Sequence, residues 1–178
     1  MKLPVADTPE KLRLLKTLYK QAFPIYARTP FALMRKKSLQ GLIELLCITG
    51  ENDEFLGLVI TGIYKDIVLL SYFAVCADKR GQRIGTTTLS LIRQRYPDKR
   101  LVLEIEDPEE PCQNKEERVR RKGFYQRNGL RVMPLRLAMF GVELLVMTDG
   151  ERLTFDEYKD FYIHVFHPFF AHFIKRAD

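Results

Sequence analysis

Residues 72–85 read Tyr72-Phe73-Ala74-Val75-Cys76-Ala77-Asp78-Lys79-Arg80-Gly81-Gln82-Arg83-Ile84-Gly85. An apolar run over 67–75 leads into this basic, glycine-bearing turn, and a helical pattern follows it to Tyr96. Free amides at a helix N-terminus, with glycines that let a ligand approach the backbone, are typical of phosphate-binding turns. An ordinary strand-to-helix turn explains Gly81-x-x-x-Gly85 equally well. A P-loop is excluded because no Lys-Ser/Thr pair follows Gly85.

The rest of the chain alternates between helical and extended patterns. Helices are predicted over 8–23, 30–39, 85–96, 115–128 and 154–175, the last interrupted at Pro168. Strands are predicted over 42–49, 55–64, 67–75, 100–106, 130–140 and 142–148. The first three strands form an antiparallel meander, which is unlike a βαβ dinucleotide-binding unit. The strand over 67–75 is apolar on both faces, so we expect it in the centre of the sheet.

Composition indicates one ordinary globular domain. The chain has 178 residues, 46% of them hydrophobic and 29% charged, and a formal net charge of +6. No apolar run approaches the roughly 20 residues of a bilayer-spanning helix, and no signal-peptide core follows Met1. Three scattered cysteines favour neither a disulfide framework nor a zinc site. We therefore expect a cytoplasmic protein without a metal, and the positive charge suits an anionic partner.

Two segments resemble the GNAT acetyltransferase superfamily. The segment from Tyr72 to Gly85 is similar to that family's coenzyme A pyrophosphate motif, Q/R-x-x-G-x-G/A, with Arg80 and Gly85 as the matching positions. Gly123-Phe124-Tyr125-Gln126-Arg127-Asn128-Gly129-Leu130 is similar to its Y-x-x-x-G-F/L segment. Arg83 departs from the motif, because it stands where the family has its first glycine. The order of predicted elements from Thr8 to Thr148 also matches the family.

The resemblance implies a mixed α/β fold. Its central sheet is mostly antiparallel, flanked by helices, and splayed between the strands over 67–75 and 101–106, where acetyl-CoA binds. Residues 1–150 would form the GNAT-like domain, and 151–178 an aromatic helical extension packed on it. The implied cofactor-binding residues are Phe73, Ala74, Val75, Arg80, Gly81, Gln82, Arg83, Ile84, Gly85 and Thr86.

The resemblance also implies two catalytic residues for direct acetyl transfer to an amine. Tyr125 matches the tyrosine that many relatives use to protonate the coenzyme A thiolate, although Phe124-Tyr125 also suits simple packing of its helix. Glu104 stands where some relatives have a glutamate that takes the amine's proton, often through water. Glu106 shares its strand face and is the second choice, and both glutamates also suit plain surface charges.

Other polar and aromatic groups are less specific. The cluster Arg118, Arg120, Arg121 and Lys122 suits either the cofactor's phosphates or a solvated helix face. Cys76 follows the binding strand, and the expected role is a small apolar one. The aromatic residues after Thr154 have helical spacing, which predicts packing over the acceptor cleft or in a homodimer. A hydrophobic acceptor pocket walled by this tail is the further hypothesis.

Two functions fit these observations. The first is an acetyl-CoA-dependent N-acetyltransferase that acts on a primary amine of a small molecule or a protein. The alternative is a catalytically degenerate GNAT-fold module that binds coenzyme A or nucleic acid. Aromatic residues interleaved on a basic strand face, as in RNA-binding sheets, are not found, which favours the enzyme over a nucleic-acid partner. No membrane partner is expected. The acidic loop over 106–110 suits a cationic acceptor.

Overall fold

The computed structural model describes residues 1–177 and every side chain in them except that of Phe170, so Asp178, the end of the predicted extension, lies outside the described residues. The helices are α1 (Pro9–Ala22), α2 (Phe31–Leu39), α3 (Ile84–Arg95), α4 (Lys115–Arg127), α5 (Phe155–Val165) and α6 (Pro168–Ala171). The strands are β1 (Ile43–Thr49), β2 (Phe55–Tyr64), β3 (Ile67–Val75), β4 (Arg100–Glu106), β5 (Arg131–Met139), β6 (Val142–Thr148) and β7 (Ile174–Arg176).

The strands form one seven-stranded sheet. Their hydrogen-bonded order is β1-β2-β3-β4-β6-β5-β7, so β3 has a neighbour on each side as its two apolar faces predict. Antiparallel pairs join β1 to β2, β4 to β6, β5 to β6 and β5 to β7. The parallel pair is β3 with β4, over Ile67–Leu69 and Arg100–Val102. The mixed, mostly antiparallel α/β fold is confirmed; the splay of β3 from β4 stays a prediction.

Two compact units make up the structure. The first comprises Met1–Ile63 and Leu70–Asp98, and the second comprises Tyr64–Leu69 together with the residues from Lys99 onward. Strand β3 thus contributes its first residues to the second unit and its remaining residues to the first. The predicted boundary at residue 150, between the GNAT-like domain and the C-terminal extension, stays a prediction.

Local signals explain the first unit. Thr8 caps α1 by accepting a hydrogen bond from the Lys11 amide at 3.3 Å, and Pro9 occupies the first helical position, as predicted. Helix α2 begins one residue later than expected, because Pro30 is its cap and makes no side-chain capping bond. The expected cap, Thr29, instead places its hydroxyl 3.1 Å from the Tyr72 hydroxyl.

The second unit contains one element that the pattern did not indicate. Helix α4 ends before Gly129, whose φ of 85° is the left-handed conformation expected of a C-terminal glycine. The predicted helix over 154–175 divides into α5 and α6 around Pro168, but residues 174–176 form β7 and pair with β5. The predicted helix was therefore wrong for Ile174 and Lys175, because long-range pairing with a strand edge overrides local propensity.

Each unit has its own buried apolar residues. Leu15, Leu45 and Leu58 have no exposed surface in the first unit, and Leu137 and Val165 have none in the second. Among residues 1–177, no helix is both long enough and apolar enough to cross a membrane.

Candidate functional site

The turn between β3 and α3 (76–83) has two left-handed residues. Gly81 has φ 81°, and Arg83 has φ 59° and ψ 9°. A residue with a side chain pays about 1–2 kcal/mol for this conformation, whereas glycine adopts it freely. Arg83 stands where the family motif has glycine, and its backbone adopts the left-handed conformation despite this energetic cost.

The β3–α3 turn leaves the start of α3 open to an anion. Arg83 is the N-cap and its side chain makes no capping bond, so the amides of Ile84, Gly85 and Thr86 keep the unpaired state of a helix's first turn. Arg80 and Arg83 are exposed, and neither has an ion-pair partner in the part of the chain that the structure describes. Free amides, free guanidinium groups and the helix dipole fit a pyrophosphate.

The end of β3 is half-buried at Phe73, Ala74 and Val75. Strand β2 approaches it so closely that a Cβ on Gly57 would stand 2.4 Å from the Ala74 carbonyl oxygen. Glycine at position 57 is thus required by this packing. The Cys76 amide donates to the Leu56 carbonyl at 2.9 Å, which fixes the strand where it enters the β3–α3 turn. Pairing of these residues with a pantetheine arm stays a prediction.

Glu104 lies in the middle of β4 within a cluster of aromatic side chains. Its Oε1 accepts a short hydrogen bond from the Tyr158 hydroxyl and a second, of 2.8 Å, from the Tyr162 hydroxyl. The Tyr162 hydroxyl also lies 3.1 Å from Oε2. Burial raises the pKa of Glu104 above its usual range, while the two tyrosine hydrogen bonds act in the opposite direction. A carboxylate of raised pKa is a stronger base than an ordinary glutamate.

Glu106, the second candidate, has different partners. Arg118 donates to its Oε1 at 3.3 Å, and Arg121 to its Oε2 at 3.5 Å. Arg118 also donates to the Asp107 carbonyl at 3.0 Å, and Arg121 to Glu117 at 3.2 Å. The carboxylate of Glu106 therefore belongs to an ion-pair network that joins β4 to α4, and two of the four residues in the basic cluster of α4 are engaged in it.

Tyr125 lies near the end of α4 and is only 9% exposed. Burial raises the pKa of its hydroxyl to about 12, and nearby Arg121 opposes the shift. Its ring packs edge-on against Phe124 at 5.2 Å. Because its pKa is raised, this phenol is protonated at neutral pH. Among residues 1–177 the hydroxyl has no hydrogen-bond partner, so it is free to donate to a bound group.

Cysteine and histidine side chains add little chemistry. Burial raises the pKa of the Cys76 thiol, which disfavours the reactive thiolate. His164 lies 2.8 Å from the Asp160 carbonyl oxygen and stacks on Tyr64 at 4.5 Å. Within the described residues, no three His, Cys, Asp or Glu side chains are grouped as a metal site would need.

The residues predicted from sequence thus fall into two groups. The ten cofactor-binding candidates lie in the first unit, whereas Glu104 and Tyr125 lie in the second. Sequence reasoning missed Tyr158 and Tyr162 as partners of Glu104 and assigned them to general packing. Their spacing of four residues places both on one face of a helix, which was the available signal.

Comparisons with known proteins agree with this architecture. Neither a scan of protein-family models nor a search of curated proteins found a match. Among solved structures, an acetyltransferase described as of the GNAT family, from Bacteroides thetaiotaomicron, has a TM-score of 0.77 at 18% identity, covering 93% of this chain and 97% of that one.

Two further solved structures contain coenzyme A. An aminoglycoside 6'-N-acetyltransferase complexed with coenzyme A has a TM-score of 0.65 at 15% identity and covers 86% of this chain and 100% of that one. A spermidine N-acetyltransferase from Vibrio cholerae, in complex with CoA and spermine, has a TM-score of 0.65 at 11% identity, with 83% and 93% covered. The chain therefore has the GNAT fold, as its two motifs indicate.

Proposed function

From the GNAT fold and its open helix terminus, we propose that the protein is an acetyl-CoA-dependent N-acetyltransferase that acts on a primary amine. The observation that carries the proposal is the uncapped start of α3, where free amides adjoin the unpaired Arg80 and Arg83. This arrangement suits the pyrophosphate of coenzyme A. Two similar structures, both named as N-acetyltransferases, contain coenzyme A, which supports the same cosubstrate here.

Glu104 and Tyr125 supply the two proton transfers in this proposal. Bound acetyl-CoA provides the acetyl group as a thioester. Glu104 accepts a proton from the amine as the amine nitrogen bonds to the acetyl carbon, directly or through one water. Tyr125 donates its hydroxyl proton towards the sulfur as the carbon–sulfur bond breaks. Because the pKa of Tyr125 is about 12, the hydroxyl is protonated throughout the neutral range.

The acceptor that we propose is a small molecule or a protein that carries positive charge, such as a polyamine, and its reacting primary amine is neutral when the nitrogen attacks the acetyl carbon. Within the acidic loop over 106–110, Glu106 pairs with arginines, and Asp107 is buried with its Oδ2 2.9 Å from Arg136. The other acidic residues of that loop are Glu110 and Glu109, whose Oε2 lies 4.0 Å from Nζ of Lys115. A spermine-bound structure among the similar ones supports this class. Neutralising Glu109 and Glu110 together should weaken selection for polyamines over neutral amines.

Thermal unfolding with acetyl-CoA, coenzyme A or neither tests the cosubstrate. A ligand at a hundred times its Kd adds about 2.7 kcal/mol, which at this size raises Tm by roughly 5–10 °C. A panel of primary amines with thiol-release detection then tests transfer. Tyr125→Phe should lower kcat much more than it weakens acetyl-CoA binding, whereas an equal loss of both would assign Tyr125 to packing.

The same measurements address the alternative of a binding module without catalysis. A Tm increase with coenzyme A but no thiol release with any amine would favour that module over the enzyme. No Tm increase with either ligand would contradict the cosubstrate site. Nucleic-acid binding with a steep salt dependence would then indicate that the basic surface serves a different partner. We further propose a cytoplasmic location, a single GNAT-like domain over 1–150 carrying the extension over 151–178, and a homodimer as the state to test.

A further inference from the structure

We propose that Tyr158 and Tyr162 are positioning residues for Glu104, holding its carboxylate through Oε1 so that Oε2 receives the proton of the acceptor amine. This inference rests on the proposed function, because Glu104 acts as a base only there. It assigns a task to two residues of α5 that neither motif of the chain includes.

The hydrogen bonds to the two oxygens of Glu104 are unequal. Oε1 accepts from both tyrosine hydroxyls, at a short distance from Tyr158 and at 2.8 Å from Tyr162. Oε2 has the longer 3.1 Å approach of Tyr162. A carboxylate oxygen offers two lone-pair directions, and the Tyr162 hydroxyl has one proton, which lies nearer to Oε1. Oε1 therefore accepts from both tyrosines, and Oε2 retains at least one lone pair. Glu104 as a residue is half-buried, between its buried neighbours Leu103 and Ile105. The inference places the acceptor amine at the retained lone pair.

Helix α5 places the two tyrosine hydroxyls on one of its faces. Tyr158 and Tyr162 are four residues apart, so they share one helix face, and their ring centroids are 5.0 Å apart. Thr154 and Glu157 form a capping box at the start of the helix. Arg100, at the start of β4, donates to Glu157 at 2.9 Å.

Arg100 and Glu104 lie on the same face of β4, because side chains alternate along a strand. The Arg100–Glu157 ion pair therefore joins α5 to β4 at the residue directly before Tyr158. Gly150 allows this arrangement, since a Cβ there would stand 2.6 Å from Cγ of Arg100. The helix backbone and an ion pair that does not involve Glu104 thus support the position of the two hydroxyls.

The side chains that donate hydrogen bonds to Glu104 carry no charge. The groups that influence its titration are the Tyr158 and Tyr162 hydroxyls, and among residues 1–177 no cation and no second carboxylate acts on it. An arginine in their place would neutralise the carboxylate and weaken it as a base. Neutral hydroxyls orient the carboxylate while burial keeps its basicity.

The test compares Tyr158→Phe and Tyr162→Phe with a matched control, Tyr64→Phe, through the pH profile of kcat/KM. Tyr64 lies in the same unit, and its hydroxyl acts on Asp160 rather than on Glu104. Loss of a donor to the carboxylate favours the protonated form, so the acidic limb of the profile should move to higher pH in the two variants. At a pH on that limb we expect about a tenfold loss of kcat/KM for each, with recovery at higher pH and no change for Tyr64→Phe.

A second measurement does not depend on turnover. With ¹³C-labelled glutamate, NMR follows the side-chain carboxyl of Glu104, which Glu104→Gln identifies by removing its signal. Its titration midpoint should rise in Tyr158→Phe and in Tyr162→Phe, and stay unchanged in Tyr64→Phe. An unchanged midpoint in both variants would overturn the inference, and so would an activity loss equal at every pH.

The two proposals fail in different ways. A wild-type protein that releases no thiol with any amine contradicts the proposed function, and with it the role given to Oε2. A wild-type protein that transfers acetyl groups while the tyrosine variants keep its pH profile contradicts the positioning role alone. Thermal unfolding of each variant shows whether it is folded, and the tyrosine-to-phenylalanine change keeps the ring that packs in α5.

Discussion

Glu104 and Glu106 lie two residues apart on the same face of one strand, but their partners are opposite in kind. Glu104 is bound by two neutral tyrosine hydroxyls from α5, and Glu106 by two arginines from α4. The strand gives both side chains the same direction, so the helix that covers each one decides its chemistry. A carboxylate among hydroxyls in a buried site is basic, whereas one between guanidinium groups is a structural ion.

The strongest test of this comparison is the pair Glu104→Gln and Glu106→Gln. We expect Glu104→Gln to lower kcat by about a hundredfold or more, since general-base catalysis contributes on that scale, with acetyl-CoA binding unchanged. Glu106→Gln should stay within a few-fold of wild type. Steady-state kinetics with the best amine of the panel measures both, and equal losses in the two variants would remove the distinction.

Glu106 should matter more for stability than for turnover. Glu106→Gln leaves Arg118, whose side chain is 12% exposed, without its charged partner, and we expect a loss of about 1–3 kcal/mol of unfolding free energy. Chemical denaturation at neutral pH measures this loss. If Glu106→Gln unfolds at the same midpoint as wild type, the ion-pair network does not stabilise the link between β4 and α4.

The two substitutions should also change stability with opposite signs at neutral pH. Burial raises the pKa of Glu104, so its contribution to stability is present below the ordinary value of 4.5 and is lost as pH rises through the folded-state pKa. Because glutamine does not ionise, Glu104→Gln avoids this loss of stability. Its Tm should therefore exceed that of wild type at neutral pH but not below pH 4.5. Thermal unfolding of the wild type and of Glu104→Gln across this pH range measures the difference in Tm. A variant that is less stable at neutral pH would contradict burial as the dominant influence on Glu104.

The arginines also differ in their partners, and this difference predicts the smallest effect. Arg118 and Arg121 are held by carboxylates, whereas Arg83 has no such partner in the described residues and occupies a left-handed conformation. Arg83→Gly should raise the unfolding free energy by about 0.5–1 kcal/mol, through relief of this strain offset by the flexibility of glycine. It should also weaken coenzyme A binding and lower its salt dependence. Equal affinity and salt dependence in the variant would exclude Arg83 from the pyrophosphate site.

The regular elements could be predicted because local signals are strong there. Strands β2, β3 and β4 have the predicted boundaries, since their apolar runs end at turn residues such as Lys65-Asp66. The β3–α3 turn was predictable from its glycines and basic residues. Its left-handed Arg83 was not, because no local preference of arginine favours that conformation.

The partners of the candidate base could not be predicted in the same way. Tyr158 and Tyr162 share a helix face by spacing, but the carboxylate that they bind lies 54 and 58 residues earlier in the chain. Only the packing of α5 on β4 brings them together. The same limit applies to β7, which exists through pairing with β5 rather than through the preference of its own three residues.

The tyrosine pair on Glu104 also gives the protein an optical property. The chain has eight tyrosines and no tryptophan, so emission excited at wavelengths that phenylalanine does not absorb comes from tyrosine. A phenol hydrogen-bonded to a carboxylate loses much of its emission, because the excited hydroxyl is a far stronger acid and transfers its proton to the acceptor. We therefore expect Tyr158 and Tyr162 to emit weakly while Glu104 is ionised and more strongly when it takes up a proton. The emission of the unlabelled protein should therefore respond to this carboxylate, and also to Glu44, which accepts a hydrogen bond from the Tyr96 hydroxyl.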